Sequence, residues 1–153
     1  MTLFNFKTGS LELLDCCNDI WELFIQNQVC CAGEMSDGVE SYLRALKDGG
    51  LLQKTQSGKL QVQLVYPEKY QSIIGFCITS LDDKQIGEIE VLYVLDKYRG
   101  NKLGSQLLQN ALTWLNAQNA IGQKLVVAAG NENVIIFYRK HGFFPGYTTL
   151  FRA

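Results

Sequence analysis

Proline is scarce in this chain, with two residues in 153, and no stretch of biased composition accompanies that scarcity. A Pro-rich linker, a fibre and a long disordered tail are thereby excluded. A surplus of either charge is missing too, since 14 Lys and Arg stand against 15 Asp and Glu, a net charge of −1. Proteins that neutralise a phosphate backbone carry a clear basic excess, so the sequence gives no support for a nucleic-acid partner. No basic segment followed by an apolar stretch and a cleavage site opens the chain, and no apolar run approaches the ~20 residues that cross a bilayer. The expectation is a cytoplasmic protein without a membrane partner. His141 is the single histidine and no C-x-x-C spacing occurs, so no metal site is expected. The five cysteines, Cys16, Cys17, Cys30, Cys31 and Cys77, are an odd number containing two adjacent pairs. Adjacent residues rarely meet disulfide geometry, and mostly buried thiols acting as small hydrophobes are expected.

What is present is 47% hydrophobic and 19% charged, the profile of one globular domain over residues 1–153. After a short strand at residues 3–6, Leu13, Leu14, Cys17, Ile20, Trp21 and Phe24 recur at helical spacing. A second helix is predicted from a cap at Ser36 through Val39, Tyr42, Leu43 and Leu46, with Gly49 and Gly50 ending it. The period then changes to two. Leu60, Val62, Leu64 and Tyr66 alternate with Gln61, Gln63 and Val65 up to Pro67, and strands at residues 73–79 and 86–95 come next. Gly75 inside the second marks a close backbone approach or a bulge.

From Leu103 the residues Leu107, Leu108, Ala111, Leu112 and Leu115 continue a helical stripe of a length that suits a crossover. It leads to "KLVVAA", continuously apolar, as in a strand covered on both faces. "NENVIIFYRKHG" reads as a short helix capped by Asn131 and ended by Gly142, with His141 complementing the dipole of its last turn. "GYTTLFR" is predicted as a final strand.

The junction "VLYVLDKYRGNKLGSQLLQNAL" spends two glycines and two cations on one strand-to-helix turn. Such a turn leaves backbone N–H groups unpaired near the positive end of a helix, an arrangement that attracts phosphate. Gly100 and Gly104 let the main chain approach an anion, and Arg99 and Lys102 offer charge-assisted partners.

The segment resembles the acetyl-CoA-binding motif of the GNAT N-acetyltransferase superfamily, R/Q-x-x-G-x-G/A, preceded by a strand ending in L-x-V and followed by an L-L pair. Here these are Leu92 and Val94, then Arg99, Gly100, Asn101, Lys102, Leu103 and Gly104, then Ser105 and the pair Leu107 and Leu108. Downstream, "NENVIIFYRKHGF" is similar to the family's N-x-x-x-x-x-[FL]-Y-x-k-x-G-F, with Asn131, Phe137, Tyr138, Gly142 and Phe143 in register. One position departs: Lys102 stands at the family's first loop glycine, at a strain cost on the order of 1 kcal/mol if φ there is positive.

The resemblance implies an α+β fold, an α/β three-layer sandwich whose mixed, mostly antiparallel sheet has helices on both faces, in the order β-α-α-β-β-β-α-β-α-β. It implies acetyl transfer from acetyl-CoA to a primary amine of a small molecule or peptide, by direct attack in a ternary complex. The backbone of Leu92, Tyr93 and Val94 is then expected to meet the pantetheine arm and thioester, with Asn131 and Tyr138 beside the coenzyme. Tyr138 occupies the family's general-acid position. Glu88 stands where some members carry a catalytic glutamate, and Glu90, two residues on, points to the same strand face, where one carboxylate raises the proton affinity of the other. The acceptor site is expected near "QNQVCCAGEMSDG", where Glu34 and Asp37 are available to draw a cationic amine. A monomer or a homodimer paired through an exposed sheet edge fits equally. The alternative reading is a GNAT-like module that binds acyl-CoA without turnover.

Overall fold

The computed structural model describes residues 3–56 and 58–152. Alternation of apolar residues produces three consecutive strands, β2 (Lys59–Pro67), β3 (Gly75–Leu81) and β4 (Ile86–Val94), paired antiparallel. β1 (Phe4–Gly9) adds to β2 antiparallel, and β5 (Gly122–Leu125) adds to β4 in parallel. The sheet order β1-β2-β3-β4-β5 therefore repeats the order of the chain. Asp82 shapes the β3–β4 turn, its Oδ1 accepting from the backbone N–H of Lys84 at 2.9 Å and of Ile86 at 2.8 Å.

One face of the sheet carries α1 (Asn18–Cys31), entered through a 3₁₀ turn at Leu11–Cys17, followed by α2 (Ser36–Ala45) and α3 (Leu51–Lys54). Ile20, Trp21, Phe24 and Ile25 of α1 pack on Phe76, Ile78, Val91 and Tyr93. On the other face α4 (Leu103–Ala117) buries Leu103, Leu107, Leu108, Ala111 and Leu115 against Val65, Cys77, Ile89 and Val94, and α5 (Val134–Arg139) joins them through Phe137 and Tyr138. Each layer buries one apolar stripe against the sheet, which is the expected three-layer α+β architecture.

Ile89 belongs to the α4 side and Val91 to the α1 side, which two residues of a regular strand cannot do. The register explains it. Ile78 opposes Val91 and Thr79 opposes Ile89, so Glu90 is the extra residue of a β-bulge. Gly75 marks a close approach instead, because a Cβ there would sit 3.2 Å from the Tyr93 carbonyl oxygen.

Several expectations need correction. Gly49, at φ +120°, does end the helical segment begun at Ser36, but the chain resumes at once as α3, an element the sequence reading did not include. β5 stops at Leu125, so the remainder of the "KLVVAA" run lies outside the sheet and Val126 is exposed. Its apolarity is therefore not explained by cover on both faces. Residues 146–152 form no strand, for no neighbouring strand pairs with them. Cys16, Cys30 and Cys31 are exposed and only Cys17 and Cys77 are buried. Asn131 does not cap α5; that helix starts two residues later than expected, after Asn133, and has no side-chain cap. His141 falls past the helix end, its Nε2 lying 3.5 Å from Ser105 Oγ. Gly142, with φ +88°, does end the segment.

Gly130 ties the two halves of the chain together. It takes φ +84°, and a Cβ there would collide with the Cys31 carbonyl at the end of α1. Gly130→Ala is expected to cost about 2–3 kcal/mol, read as a drop of roughly 5–10 °C in Tm by thermal unfolding.

Candidate active site

Beyond the Ile89–Leu125 pair β4 and β5 no longer bond to each other. There a cleft of about 730 Å³ opens, lined by Leu92, Tyr93 and Val94 on one side and by Gly130 and Asn131 on the other. That size suits a small organic ligand. Leu95 N–H donates to the Ile74 carbonyl at 2.9 Å, on the β3 side. Backbone groups of successive strand residues point to opposite edges, so Leu92 and Val94 turn theirs away from β3 and into the gap.

The loop before α4 forms the end of the cleft. Gly100 adopts φ +85° and Lys102 φ +60°. Arg99 is braced rather than free: its Nε donates to the Val94 carbonyl at 3.2 Å, its Nη1 lies 3.0 Å from Asp96 Oδ1, and its guanidinium sits 6.0 Å from the Tyr93 ring centre. Asn101 Nδ2 donates to the Tyr98 carbonyl at 2.9 Å. Asn101 thus shapes the turn and does not line the cleft. No side chain caps α4, and Gln106 N–H, donating to the Lys102 carbonyl at 3.1 Å, makes the first helical bond. The N–H groups of Leu103, Gly104 and Ser105 are left at the positive end of the helix, and all three residues line the cleft.

Phe137 and Tyr138 of α5 close the inner wall. Tyr138 is half-buried between Phe137 and Phe143, with ring centres 5.1 Å and 6.1 Å away. Burial first, and the Cys77 thiol second, push its phenol well above the ordinary value of 10.0, so it is protonated across the neutral range.

Glu88 and Glu90 lie on the opposite face of the sheet, beneath α3. Lys54 Nζ donates to Glu90 at 2.7 and 3.1 Å, and Ser80 Oγ donates to it at 3.0 Å. Glu90's side chain has no exposed surface, whereas Glu88 retains 12% and has Lys54 and Lys124 only at 3.6 and 3.7 Å. Burial, then the neighbouring Glu88, raises the Glu90 carboxyl above 4.5 even against Lys54. For Lys54 burial is the largest single influence and works the other way, but the hydrogen bond to Glu90 and the charges of Glu90 and Glu88 together outweigh it, and the ammonium is held above 10.5.

Sequence reasoning missed both Lys54 and one wall of the cleft. Asn27, Gln28 and Cys31 of α1 line it, and the buried Gln28 accepts from Asn131 Nδ2 at 3.4 Å. The available signal was a glutamine continuing the buried stripe Ile20, Trp21, Phe24, Ile25. Glu34 sits exposed in the 3₁₀ turn Gly33–Met35, and neither it nor Asp37 lines the cleft.

The acetyltransferase (GNAT) family matches residues 32–143. No curated protein matches the sequence. Among solved structures, the PaiA N-acetyltransferase of Thermoplasma acidophilum in complex with coenzyme A superposes with a TM-score of 0.70 at 19% identity, over 96% of this chain and 93% of the other. An aminoglycoside N-acetyltransferase carrying a coenzyme A–acetylneamine bisubstrate analogue gives 0.61 at 15% identity, over 99% and 97%. A GNAT-family acetyltransferase of Staphylococcus aureus gives 0.65 at 17% identity, over 92% and 84%. At these identities the likeness carries the fold, while the family match spans most of the chain. With the strand, the glycine-bearing turn and the tyrosine helix all inside the matched segment, the chain belongs to the GNAT family of acetyltransferases.

Proposed function

We propose that this enzyme transfers an acetyl group from acetyl-CoA to a primary amine of a small molecule or peptide, by direct attack within a ternary complex. The observation that carries the reading is the uncapped start of α4 opening into the gap between β4 and β5. Bound there, acetyl-CoA supplies an activated acyl thioester. The N–H groups of Leu103, Gly104 and Ser105 hold its diphosphate, Gly100 keeps the approach open, and the Lys102 ammonium adds charge. The inward-facing N–H groups of Leu92 and Val94 bond the pantetheine arm and polarise the thioester carbonyl. Asn131, fixed by Gln28, borders the arm.

Tyr138 remains a donor at neutral pH and protonates the leaving thiolate. Of the two carboxylates, Glu90 is sealed by Lys54 and Ser80 and acts as an anchor. Glu88 keeps exposed surface and longer contacts, so it takes the amine proton, directly or through water. The coenzyme A bisubstrate analogue bound to the aminoglycoside N-acetyltransferase supports a small-molecule amine as acceptor. No helix among the described residues is long and apolar enough to cross a membrane, in keeping with an acceptor met in water.

Acetyl-CoA should raise Tm, and one amine in a broad panel should accelerate thiol release. Tyr138→Phe is expected to lower kcat ~10²-fold or more with coenzyme Kd nearly unchanged. Binding without thiol release for every amine favours the alternative, an acyl-CoA-binding module without turnover; near-normal turnover of Tyr138→Phe removes the acid role.

Lys102→Gly separates two opposing effects. Relief of the left-handed lysine is expected to stabilise the ligand-free protein by roughly 0.5–1 kcal/mol. Loss of the ammonium is expected to weaken acetyl-CoA binding several-fold and flatten its salt dependence in titration calorimetry.

Lys54→Met strips Glu90 of its cation and raises its carboxyl further. The folded state then binds a proton that the unfolded chain has released. The stability lost relative to the parent protein should therefore grow as pH rises from 4.5 toward neutrality, and be small in acid, where Glu90 is protonated in both. Partial exposure of Lys54 keeps the neutral-pH loss to about 1–2 kcal/mol, measurable by urea denaturation across that range.

A further inference from the structure

Among the described residues no aspartate or glutamate lines the cleft, whereas Arg99 and Lys102 do. A polycationic acceptor would therefore meet repulsion there and find no counter-charge. Glu88, beside the cleft on the α3 side of the sheet, is the carboxylate that lacks a close partner. Only 12% of its side chain is exposed, yet Lys54 and Lys124 stay at 3.6 and 3.7 Å and no described group donates a hydrogen bond to it. A carboxylate covered to that extent is held by donors when its site is complete. Lys54 makes its short contacts with Glu90 instead. Lys124 opposes Glu88 across the β4–β5 ladder, one rung before the last pair, Ile89 and Leu125, beyond which the gap opens. Its side chain is 63% exposed, and Glu88 at 3.7 Å is its one ion-pair contact among the described residues. That distance is longer than a hydrogen bond.

We infer that the acceptor is an α-amino acid, whose ammonium docks on the Glu88 carboxylate while its own carboxylate takes the Lys124 ammonium. The inference rests on the proposed acetyl transfer and narrows its acceptor. In an α-amino acid the nitrogen and the nearer carboxylate oxygen lie about 3 Å apart. Lys124 Nζ and Glu88 Oε1 are 3.7 Å apart, so the two opposite pairs of charge can lie head to tail. The incoming ammonium brings the N–H donors that Glu88 lacks. Once Glu88 has taken one proton, directly or through water, the nitrogen lone pair attacks the thioester carbon; the C–N bond forms and the C–S bond breaks. The further proton that the nitrogen sheds on becoming an amide balances the one Tyr138 gives to the departing thiolate. A plain amine offers nothing to Lys124 and brings another positive charge beside two ammoniums. A peptide N-terminus fails likewise, because a neutral amide replaces its carboxylate. Tyr42 of α2 borders the same group: burial raises its phenol above 10.0, and the charges of Lys54, Glu90 and Glu88 act on it. Its half-exposed ring gives the amino-acid side chain an aromatic surface to lie on.

Thiol release measured with acetyl-CoA and each proteinogenic amino acid, beside its own amide and its decarboxylated amine, tests the role of the carboxylate. For the accepted amino acid kcat/KM should exceed that of both analogues by roughly tenfold or more. Lys124→Gln should bring that ratio toward one, chiefly through a raised KM, and Lys124→Arg should restore most of it. A cross-strand pair with a structural role alone would move Tm and leave the ratio where it was. Amides or plain amines accepted as well as every amino acid overturn the inference, and so does an unchanged ratio in Lys124→Gln; both outcomes leave acetyl transfer standing. If no amine releases thiol, acetyl transfer itself has failed, and calorimetry with the coenzyme A-bound protein decides the site. An amino acid that binds more tightly than its amide, by a margin lost in Lys124→Gln, upholds the site, and equal or absent binding of the two overturns it.

Discussion

Two neighbouring parallel strands that stop bonding to each other leave a row of main-chain N–H and C=O groups without partners, and such groups tolerate neither dry burial nor apolar cover. In this chain the row falls at Leu92 and Val94, immediately past the last β4–β5 pair, where Arg99 Nε meets the Val94 carbonyl and the two N–H groups face the gap. Everything around the cleft depends on that gap. α4 begins at its mouth with uncapped N–H groups, α5 brings an aromatic wall, and Gly130 wedges the returning loop against α1. The protein concentrates unspent hydrogen-bonding capacity in one place and leaves it for a polar, elongated ligand.

The bulge at Glu90 has a separate consequence. By inserting a residue between Ile89 and Val91, it lets β4 give apolar side chains to both cores within three positions. It also turns Glu90 under α3, into contact with Lys54 and Ser80. Two acids that look equivalent in the sequence thereby acquire different surroundings, one sealed and one partly wet. Their chemistry differs through neighbours and not through position on the strand.

Much of the fold was legible because its signals are local. Period-two alternation located β2, β3 and β4, and the Leu103 to Leu115 stripe located α4. The loop signature likewise pointed to residues that, Asn101 excepted, line one cleft, and the positive φ on which the strain at Lys102 was conditional is present. What the sequence hid was contact between distant segments. Gln28 reaches Asn131 across 103 positions and Lys54 reaches Glu90 across 36, and no window of sequence holds both partners. Gly49 ends its helix as the sequence signalled, but α3 went unseen, since glycine permits a break in conformation without dictating whether a helix resumes beyond it. The apolar run after Lys124 and the tail were assigned to strands on composition, yet strand formation requires a neighbour, and within the isolated chain neither finds one.

Because each strand's sheet neighbours are also its neighbours in sequence, no strand has to be threaded between two others already in place. A ribosome that releases the chain from its N-terminus can add pairings one at a time, each new strand docking on an edge formed moments before. The widest separation lies between β1 and β2, with α1, α2 and α3 emerging between them, so that pairing carries the largest loop-closure cost, while β2, β3 and β4 pair across short turns.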